Sequence, residues 1–239
     1  MSSFDPLELY ASAIDTSDYV ARIAPLVRRL VPDVGELLDV GAGGGQLGAA
    51  LRGRGHRWTA IEPSPTMIRR LARLHSPPRI VTEGWQTADV AAHDTVLAAT
   101  MPAFLDRARP FLERCLAWAR RTIVWIVPAH AGPRGLCFAA CLPAEWHGED
   151  ETPGIDLVLD GLPAASRPHD IAFAEWTFSG VVADVSALAA YLADRLGWSR
   201  EDERRSLLTT HLVRQAKPDA GGWRLDIPRK SAALVWRQA

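Results

Sequence analysis

Short apolar runs and helical patterns alternate along the first half of the chain. The apolar runs are bounded by turn residues and predict buried strands at residues 36–40, 56–62, 79–84, 94–100 and 122–129. Between them, apolar positions at helical spacing predict helices at residues 46–55, 64–75 and 110–121, after leading helices between residues 5 and 30. Strands that alternate with helices predict a parallel sheet covered on both faces. Such sheets bind ligands beyond the carboxyl ends of their strands.

The alternation stops after Pro128. Residues 129–168 are rich in proline and glycine and predict no strand of the sheet. Further along, the pattern predicts a strand over residues 170–183, two helices within residues 184–216 that separate near Gly197, and a final strand or hairpin over residues 222–237. We expect the irregular part and the late helices to cover the ligand site as a cap.

The composition is that of one globular domain with little overall charge. The chain has 239 residues, 48% of them hydrophobic, and a formal net charge of −1, which argues against binding to nucleic acid or an anionic membrane. Its longest strongly apolar run, residues 122–129, is too short to span a bilayer, and its first residues lack the pattern of a secretory signal. We therefore expect a cytoplasmic protein without nucleic-acid or membrane partners.

Three cysteines give no disulfide framework and fit a reducing compartment. Cys137 and Cys141 are four residues apart, and His130 and His147 flank them. A tetrahedral metal site needs four well-spaced ligands, whereas the sequence around the two cysteines is typical of a small-residue helical turn. We expect no metal.

Five of the eight residues from Gly41 to Gly48 are glycine. Glycine accepts positive φ and lacks a Cβ, so a ligand can lie against the backbone where this strand gives way to a helix. One candidate ligand is a nicotinamide dinucleotide, because residues 43–48 satisfy the pattern G-x-G-x-x-G. That frame begins late after the strand, however, and in the frame that begins at Gly41 the sixth position is Gln46.

The same stretch has a second interpretation. Read as Asp39-Val40-Gly41-Ala42-Gly43-Gly44-Gly45, it has an acidic residue two positions before G-x-G-x-G, and Glu62 begins the sequence Glu-Pro-Ser-Pro-Thr-Met at the end of the second strand. Over about residues 36–128 these motifs resemble the class I S-adenosylmethionine-dependent methyltransferases. The resemblance implies an α/β fold with a Rossmann-like, seven-stranded, mostly parallel sheet, helices on both faces, N-terminal helices and an inserted cap.

The resemblance also implies a single methyltransferase domain over residues 1–239. Its parts would be leading helices at residues 1–32, a cofactor-binding core at 33–128, a cap with the late strand and helices at 129–221, and a final strand at 222–239.

The implied cofactor is S-adenosyl-L-methionine. Carried over position by position, the resemblance gives Glu62 the ribose hydroxyls and Gly41 and Gly43 the methionine part of the cofactor. Asp39 would support that loop or the cofactor's amino group, and the Thr100 carbonyl would lie near the same amino group. Where the family usually has Gly-Asp-Ala after the third strand, this chain has Gly84-Trp85-Gln86. We expect Trp85 to cover the adenine and Gln86 to bond its edge. Two alternatives stay open: in one, Asp39 caps the next helix, and in the other, Trp85 belongs to the core.

Methyl transfer is an in-line displacement that alignment and desolvation can promote without a fixed catalytic residue. A weakly acidic acceptor profits from a base, and His130, which follows the fifth strand, is the histidine best placed for that role. The alternative is an exposed loop histidine. His147, beside Trp146, is a second candidate.

We expect a small-molecule acceptor, with the methylated atom (O, N or C) and the oligomeric state undetermined. Nucleic-acid amino methyltransferases carry a tetrad resembling Pro-Pro-Tyr where this chain has Ala-Thr-Met-Pro-Ala-Phe. Aromatic residues of the later half either line an apolar pocket or pack the sheet, namely Phe138, Trp146, Phe173, Trp176 and Phe178. Alternative functions are an NAD(P)-binding oxidoreductase and a non-catalytic protein that binds S-adenosylmethionine.

Overall fold

The structure is a computed structural model that describes residues 4–100, 102–133 and 138–238, with the backbone alone at 102–104. Cys137, a candidate metal ligand, and Met101, within the segment compared with the tetrad, lie outside the described residues. The chain forms two compact units. We call the first the sheet unit (residues 19–130, 152–176 and 229–239) and the other the second unit (residues 1–18, 131–151 and 177–228).

The helices and strands follow each other in the predicted alternation as far as β5. The helices are α1 (Pro6–Thr16), α2 (Tyr19–Leu30), α3 (Gln46–Leu51), α4 (Pro65–Ala72), α5 (Ala108–Trp118), α6 (Ala144–His147), α7 (Gly154–Asp160), α8 (Val185–Arg195) and α9 (Arg204–Gln215). The strands are β1 (Leu37–Val40), β2 (Trp58–Ile61), β3 (Arg79–Val81), β4 (His93–Ala99), β5 (Ala119–Pro128), β6 (Asp170–Val182), β7 (Lys217–Asp219) and β8 (Gly222–Arg237). Short 3₁₀ helices lie at Pro102–Arg107, Ala139–Cys141 and Ala164–Ser166.

The sheet confirms the predicted fold class. Its strand order is β3-β2-β1-β4-β5-β8-β6, and the short β7 pairs with β8. Strands β1 to β5 pair in parallel, whereas β8 pairs antiparallel with β5, from Thr122 opposite Arg237 to Pro128 opposite Ser231. In the dinucleotide-binding order 3-2-1-4-5-6 the sixth strand follows the fifth directly. Here a late antiparallel strand separates them.

One face of the sheet carries an aromatic core. Phe111 of α5 packs against Trp125 of β5 with ring centroids 4.7 Å apart, and Trp125 lies 6.4 Å from Trp236 of β8. All three side chains are buried. Such aromatic pairs contribute about 0.5–1.5 kcal/mol each beyond the burial of their area. The last strand therefore completes the core as well as the sheet.

The first two helices after the strands begin differently. At α4 the Ser64 hydroxyl accepts the Met67 N–H at 3.4 Å and Pro65 takes the first position, as the sequence predicts. Helix α3 has Gly45 as its N-cap residue and no side-chain cap. It ends at Leu51, earlier than the predicted residue 55. Its early end follows from the two glycines at 53 and 55, of which the second has φ +79°.

In the second unit, α8 and α9 confirm the two helices predicted within residues 184–216. Asp184 caps α8 through the Ser186 N–H, and Gly197 adopts φ +73° between the helices.

Residues 138–168 contain only short helices and no strand, which agrees with the prediction. Among the described residues, no helix is both long and apolar enough to cross a membrane.

His93, at the start of β4, is a buried histidine that the sequence analysis did not single out. Its Nδ1 lies 2.7 Å from the Ala91 carbonyl oxygen and its Nε2 lies 2.9 Å from the Thr59 hydroxyl. The carbonyl can only accept, so Nδ1 carries the proton and Nε2 accepts from Thr59. Burial, more than any other factor, holds the pKa of His93 below its usual 6.5.

A His93→Gln variant should reveal a pH-dependent contribution of this histidine to stability. Because the pKa of His93 is lower in the folded state, the unfolded chain binds more protons as pH falls below about 6.5, and folding then loses stability. The stability advantage of the wild type over His93→Gln should therefore shrink between pH 7.5 and 5.5. Denaturant unfolding at several pH values measures it, with exposed His75→Gln as the control. A constant advantage would contradict a neutral His93.

Candidate active site

The carboxyl ends of the parallel strands bring the predicted site residues of the sheet unit to one edge. Gly41 follows β1 and donates its N–H to the Ile61 carbonyl of β2 at 2.8 Å. Thr100 follows β4 and donates its N–H to the Ile126 carbonyl of β5 at 3.1 Å. The residues after β1, β2, β4 and β5 thus share the edge where ligands bind in sheets of this kind.

Three glycines of the loop after β1 adopt positive φ, and two of them have distinct roles. Gly41, Gly43 and Gly45 have φ +65°, +56° and +79°. A Cβ at Gly43 would meet nothing within 4 Å, whereas a Cβ at Gly45 would lie 2.6 Å from Leu71 of α4. Gly43 therefore faces open space, and Gly45 allows α3 and α4 to pack closely.

Glu62 joins the glycine loop to the start of α4. Its Oε2 accepts the Gly43 N–H at 2.8 Å and its Oε1 accepts the Ser64 N–H at 2.8 Å. The side chain is buried. A carboxylate has about four acceptor positions, so each oxygen retains capacity for a ligand hydroxyl. The sequence predicted a ligand contact for Glu62 but not this structural bridge.

Asp39 of β1 is 2% exposed, and its Oδ2 has no hydrogen-bond partner. Burial is the main cause that raises the pKa of Asp39 to about 7, and the nearby charge of Glu62 adds to it. The alternative that Asp39 caps the next helix is wrong, since α3 has no side-chain cap. Its proposed contact with the cofactor stays a prediction.

Thr100 has φ +52°, which is rare for a β-branched residue. Such a conformation costs about 1–3 kcal/mol and occurs mostly where function requires it. It turns the chain sharply away from the path of β4 at the ligand edge. The cofactor contact of the Thr100 carbonyl stays a prediction.

Trp85 and Gln86 occupy different environments after β3. The Trp85 ring is buried in the aromatic core and meets Phe111 edge-on, with centroids 5.2 Å apart. Gln86 is exposed, and its Oε1 folds back over Gly84. The core alternative thus describes the packing of Trp85. Adenine contacts by either residue remain predictions.

His130 follows β5 and is half-buried, with both ring nitrogens engaged. Arg229 Nη1 donates to Nε2 at 2.9 Å, so Nε2 is the unprotonated nitrogen, and Nδ1 lies 3.0 Å from the Lys230 carbonyl oxygen. Burial is the first cause that lowers the pKa of His130, and the charge of Arg229 contributes. His130 is therefore neutral at pH 7, the form a base requires, but Arg229 occupies its basic nitrogen.

His147 belongs to the second unit. It is buried, its Nδ1 accepts the Glu149 N–H at 3.1 Å, and its Nε2 lies 3.2 Å from Glu151 Oε1 without the geometry of a hydrogen bond. The described residues contain no group of three or more His, Cys, Asp or Glu side chains that can hold a metal.

The five aromatic residues predicted for a pocket take part in separate contacts within their own units. In the sheet unit, Trp176 packs edge-on to Tyr19 at 4.7 Å, and Phe173 is 50% exposed beneath the Lys230 ammonium. In the second unit the contacts pair Phe138 with Phe178, and Trp146 with Trp198 and His211. An acceptor pocket built from them stays a prediction.

Comparison with known proteins adds fold-level evidence. No sequence-family profile and no curated protein sequence matches the chain. A proposed type II methyltransferase from Anaeromyxobacter dehalogenans has 18% identity and a TM-score of 0.54, with 90% of this chain and 94% of that one covered. A proposed methyltransferase from Bacillus halodurans has 11% identity and a TM-score of 0.52, with 90% and 97% covered.

The chain shares a Rossmann-like fold with these two structures. In this fold the glycine loop, Glu62 and Thr100 lie at the carboxyl ends of the parallel strands. At these identities the likeness describes the fold, and the chemistry has to be argued from the site.

Gly43→Val should abolish binding of S-adenosylmethionine, because the new side chain would fill the open space and resist positive φ. Gly55→Val is a matched control, since Gly55 also has positive φ and open space around its Cβ position. Both variants should lose about 1–3 kcal/mol of folding stability, but only Gly43→Val should lose binding in calorimetric titration. Normal binding by a folded Gly43→Val variant would show that the loop serves only as a turn and does not contact the cofactor.

Proposed function

We propose that the chain is an S-adenosylmethionine-dependent methyltransferase that acts on a small molecule. The observation that carries the proposal is a pair of buried acids that have no cationic partner and lie beside an open glycine loop. Asp39 and Glu62 are both buried, and among the described residues no Lys, Arg or His forms an ion pair with either. Buried charges are ordinarily paired. A cationic ligand at Gly43 would supply the missing partner.

The charge of the site favours this cofactor over a nicotinamide dinucleotide. A dinucleotide presents its anionic pyrophosphate to the start of the helix after the glycine loop. Here two carboxyl groups flank that loop, and an anion would be repelled where a sulfonium and an ammonium group are attracted. The strand order, with β8 between β5 and β6, also differs from the dinucleotide-binding order.

The residues of the sheet unit suit such a cofactor. The free acceptor positions of Glu62 fit two ribose hydroxyls, while its bonds to Gly43 and Ser64 fix the loop in a binding shape. Gly43 lets the methionine end lie against the backbone. When bound, the cofactor supplies a methyl group on a positively charged sulfur for in-line displacement by the acceptor. The protein's part is to align the acceptor and exclude water.

His130 is our candidate for a base when the acceptor must lose a proton. Its neutral form and its place after β5 support the role. Because Arg229 donates to Nε2, the base function requires Arg229 to leave that nitrogen when the acceptor binds. Arg229 would then carry a positive charge beside the reacting groups, which would favour an anionic form of the acceptor.

The near-neutral chain and the absence of a dense basic stripe support a small-molecule acceptor. A non-catalytic protein that binds the same cofactor is the second candidate. The altered segment at residues 84–86 and the occupied His130 Nε2 favour it. Turnover separates the two functions.

Calorimetric titration should detect binding of S-adenosylmethionine and no binding of NADH. A folded Glu62→Gln variant should bind the cofactor about tenfold or more weakly, because an amide group replaces one acceptor oxygen and faces a backbone N–H. Exposed Glu83→Gln is the matched control and should bind as the wild type does. Release of S-adenosylhomocysteine from a pool of small metabolites then reports turnover.

Three results would decide against the proposal. Wild-type protein that binds NADH instead would reverse the choice of cofactor. Unchanged affinity of Glu62→Gln for S-adenosylmethionine would show that Glu62 does not bind the ribose. Binding without turnover across nucleophilic oxygen, nitrogen and carbon acceptors would favour the non-catalytic function.

His130→Ala should lower turnover and remove one ionisation below pH 6.5 from the pH profile, since the pKa of His130 lies under its usual value. Loss of a general base typically costs about 10²–10⁴-fold. Cofactor affinity should stay constant. His75→Ala, at an exposed histidine, is the control. A His130→Ala enzyme with the wild-type pH profile would show that His130 is not the base.

A further inference from the structure

Asp39 and Trp58 project from the same face of the sheet. Trp58 pairs with Leu37 in the register of β1 and β2, and Asp39 pairs with Ala60, so both side chains stand on the face that α3 covers. Gly48 of α3 lies directly above them. A Cβ at Gly48 would collide with Asp39 Oδ2 and lie 3.0 Å from Trp58 Cε2, the carbon bonded to the indole nitrogen.

The two polar atoms beneath Gly48 are complementary but unsatisfied. Asp39 Oδ2 and Trp58 Nε1 are both buried, and neither has a hydrogen-bond partner. The indole nitrogen can only donate, whereas an ionised carboxylate can only accept. Trp58 lowers the pKa of Asp39, although no hydrogen bond of normal geometry joins the two side chains. Buried polar groups left without partners call for an explanation.

The charges around Asp39 determine when it ionises. Burial and the charge of Glu62, which follows β2, disfavour the carboxylate and bring the pKa of Asp39 to about 7. Trp58 acts in the opposite direction and favours the carboxylate. Arg52, at the end of α3, lies 5.6 Å from the centre of the Trp58 ring. Among the described residues, Glu62 is the one charged group whose field shifts the pKa of Asp39. A cation on the glycine loop would therefore shift Asp39 toward its ionised form.

We propose that Trp58 is a positioning residue for Asp39, and that the two residues beneath Gly48 link binding of the cationic cofactor to loss of the Asp39 proton. The inference rests on the proposed function, because it takes S-adenosylmethionine as the cation. At a pH below the pKa of Asp39 and with the loop empty, Asp39 keeps its proton. When the cation binds, the proton leaves to solvent and the Trp58 N–H donates to the carboxylate.

The proposal requires affinity for the cofactor to fall as pH decreases. Above about pH 7 the carboxylate of the empty protein is already ionised, and affinity should be independent of pH. Below it, binding must first remove a proton, so affinity should fall by up to about tenfold per pH unit. Titration in two buffers of different ionisation enthalpy should detect the released proton below pH 7.

The closing experiment compares Trp58→Phe with Trp125→Phe. Both changes keep an aromatic ring and remove a buried indole N–H that has no partner, but Trp125 belongs to the aromatic core on the other sheet face. Trp58→Phe should bind S-adenosylmethionine about tenfold more weakly at pH 7, and its affinity should approach that of the wild type at pH 9. Trp125→Phe should keep the wild-type pH profile. Asp39→Asn should bind without proton release.

Melting temperatures without cofactor test the same link independently. Because the folded pKa of Asp39 lies above the usual 3.8, folding loses stability as pH rises from about 4 to 7, and Asp39→Asn should become progressively more stable than the wild type over that range. In a Trp58→Phe background, the stability that Asp39→Asn gains over the protein with Asp39 should level off at a higher pH.

The outcomes separate the two proposals. A folded Trp58→Phe with the wild-type pH dependence, both of affinity and of melting, would overturn the role of Trp58. Affinity in the wild type that does not vary between pH 5.5 and 8 would overturn the proton linkage while leaving the cofactor assignment intact. Wild-type protein that binds no S-adenosylmethionine would overturn the proposed function, and with it the coupling to a cofactor, whatever the melting curves show.

Discussion

The carboxylate of Glu62 is the interaction on which the candidate site depends. It accepts one backbone N–H from the glycine loop after β1 and one from the start of α4 after β2. The loops that follow two neighbouring strands are thereby fixed to each other at the ligand edge. Loss of the carboxylate would leave two backbone donors to find other partners, at a cost of about 1–3 kcal/mol for each one that stays buried and unbonded.

Charged side chains are arranged differently at the amino ends and at the carboxyl ends of the strands. At the amino ends of the strands, Glu36 pairs with Arg57 at 2.8 Å and with Arg120 at 2.7 Å, and Arg120 also pairs with Asp94 at 3.0 Å. These partly exposed pairs each add little stability, but they balance one another. At the carboxyl ends, Asp39 of β1 and Glu62, which follows β2, are buried without cationic partners in the described part of the chain. Acidic side chains without cationic partners are thus concentrated where a ligand would bind.

Local patterns were sufficient for part of this architecture. The parallel strands follow from the alternation of apolar runs and helices, and the start of α4 follows from Ser64 and Pro65, since a cap depends on residues only a few positions apart. Long-range contacts were not predictable in the same way. Nothing near Gly48 indicates that it makes room for Asp39, because the two meet only after α3 has packed on the sheet. The burial of Trp85 against Phe111 is of the same kind.

The placement of β8 has a consequence for the order in which the protein matures. Strand β5 is bordered on one side by β4 and on the other by residues 231–237 of β8, with about a hundred residues of chain between them. During synthesis from the amino end, β5, which includes Trp125, has no partner on this side until β8 has been made. An unpaired apolar edge of this length is a template for pairing with other chains. Newly made chains would therefore be exposed to aggregation until β8 has been synthesised.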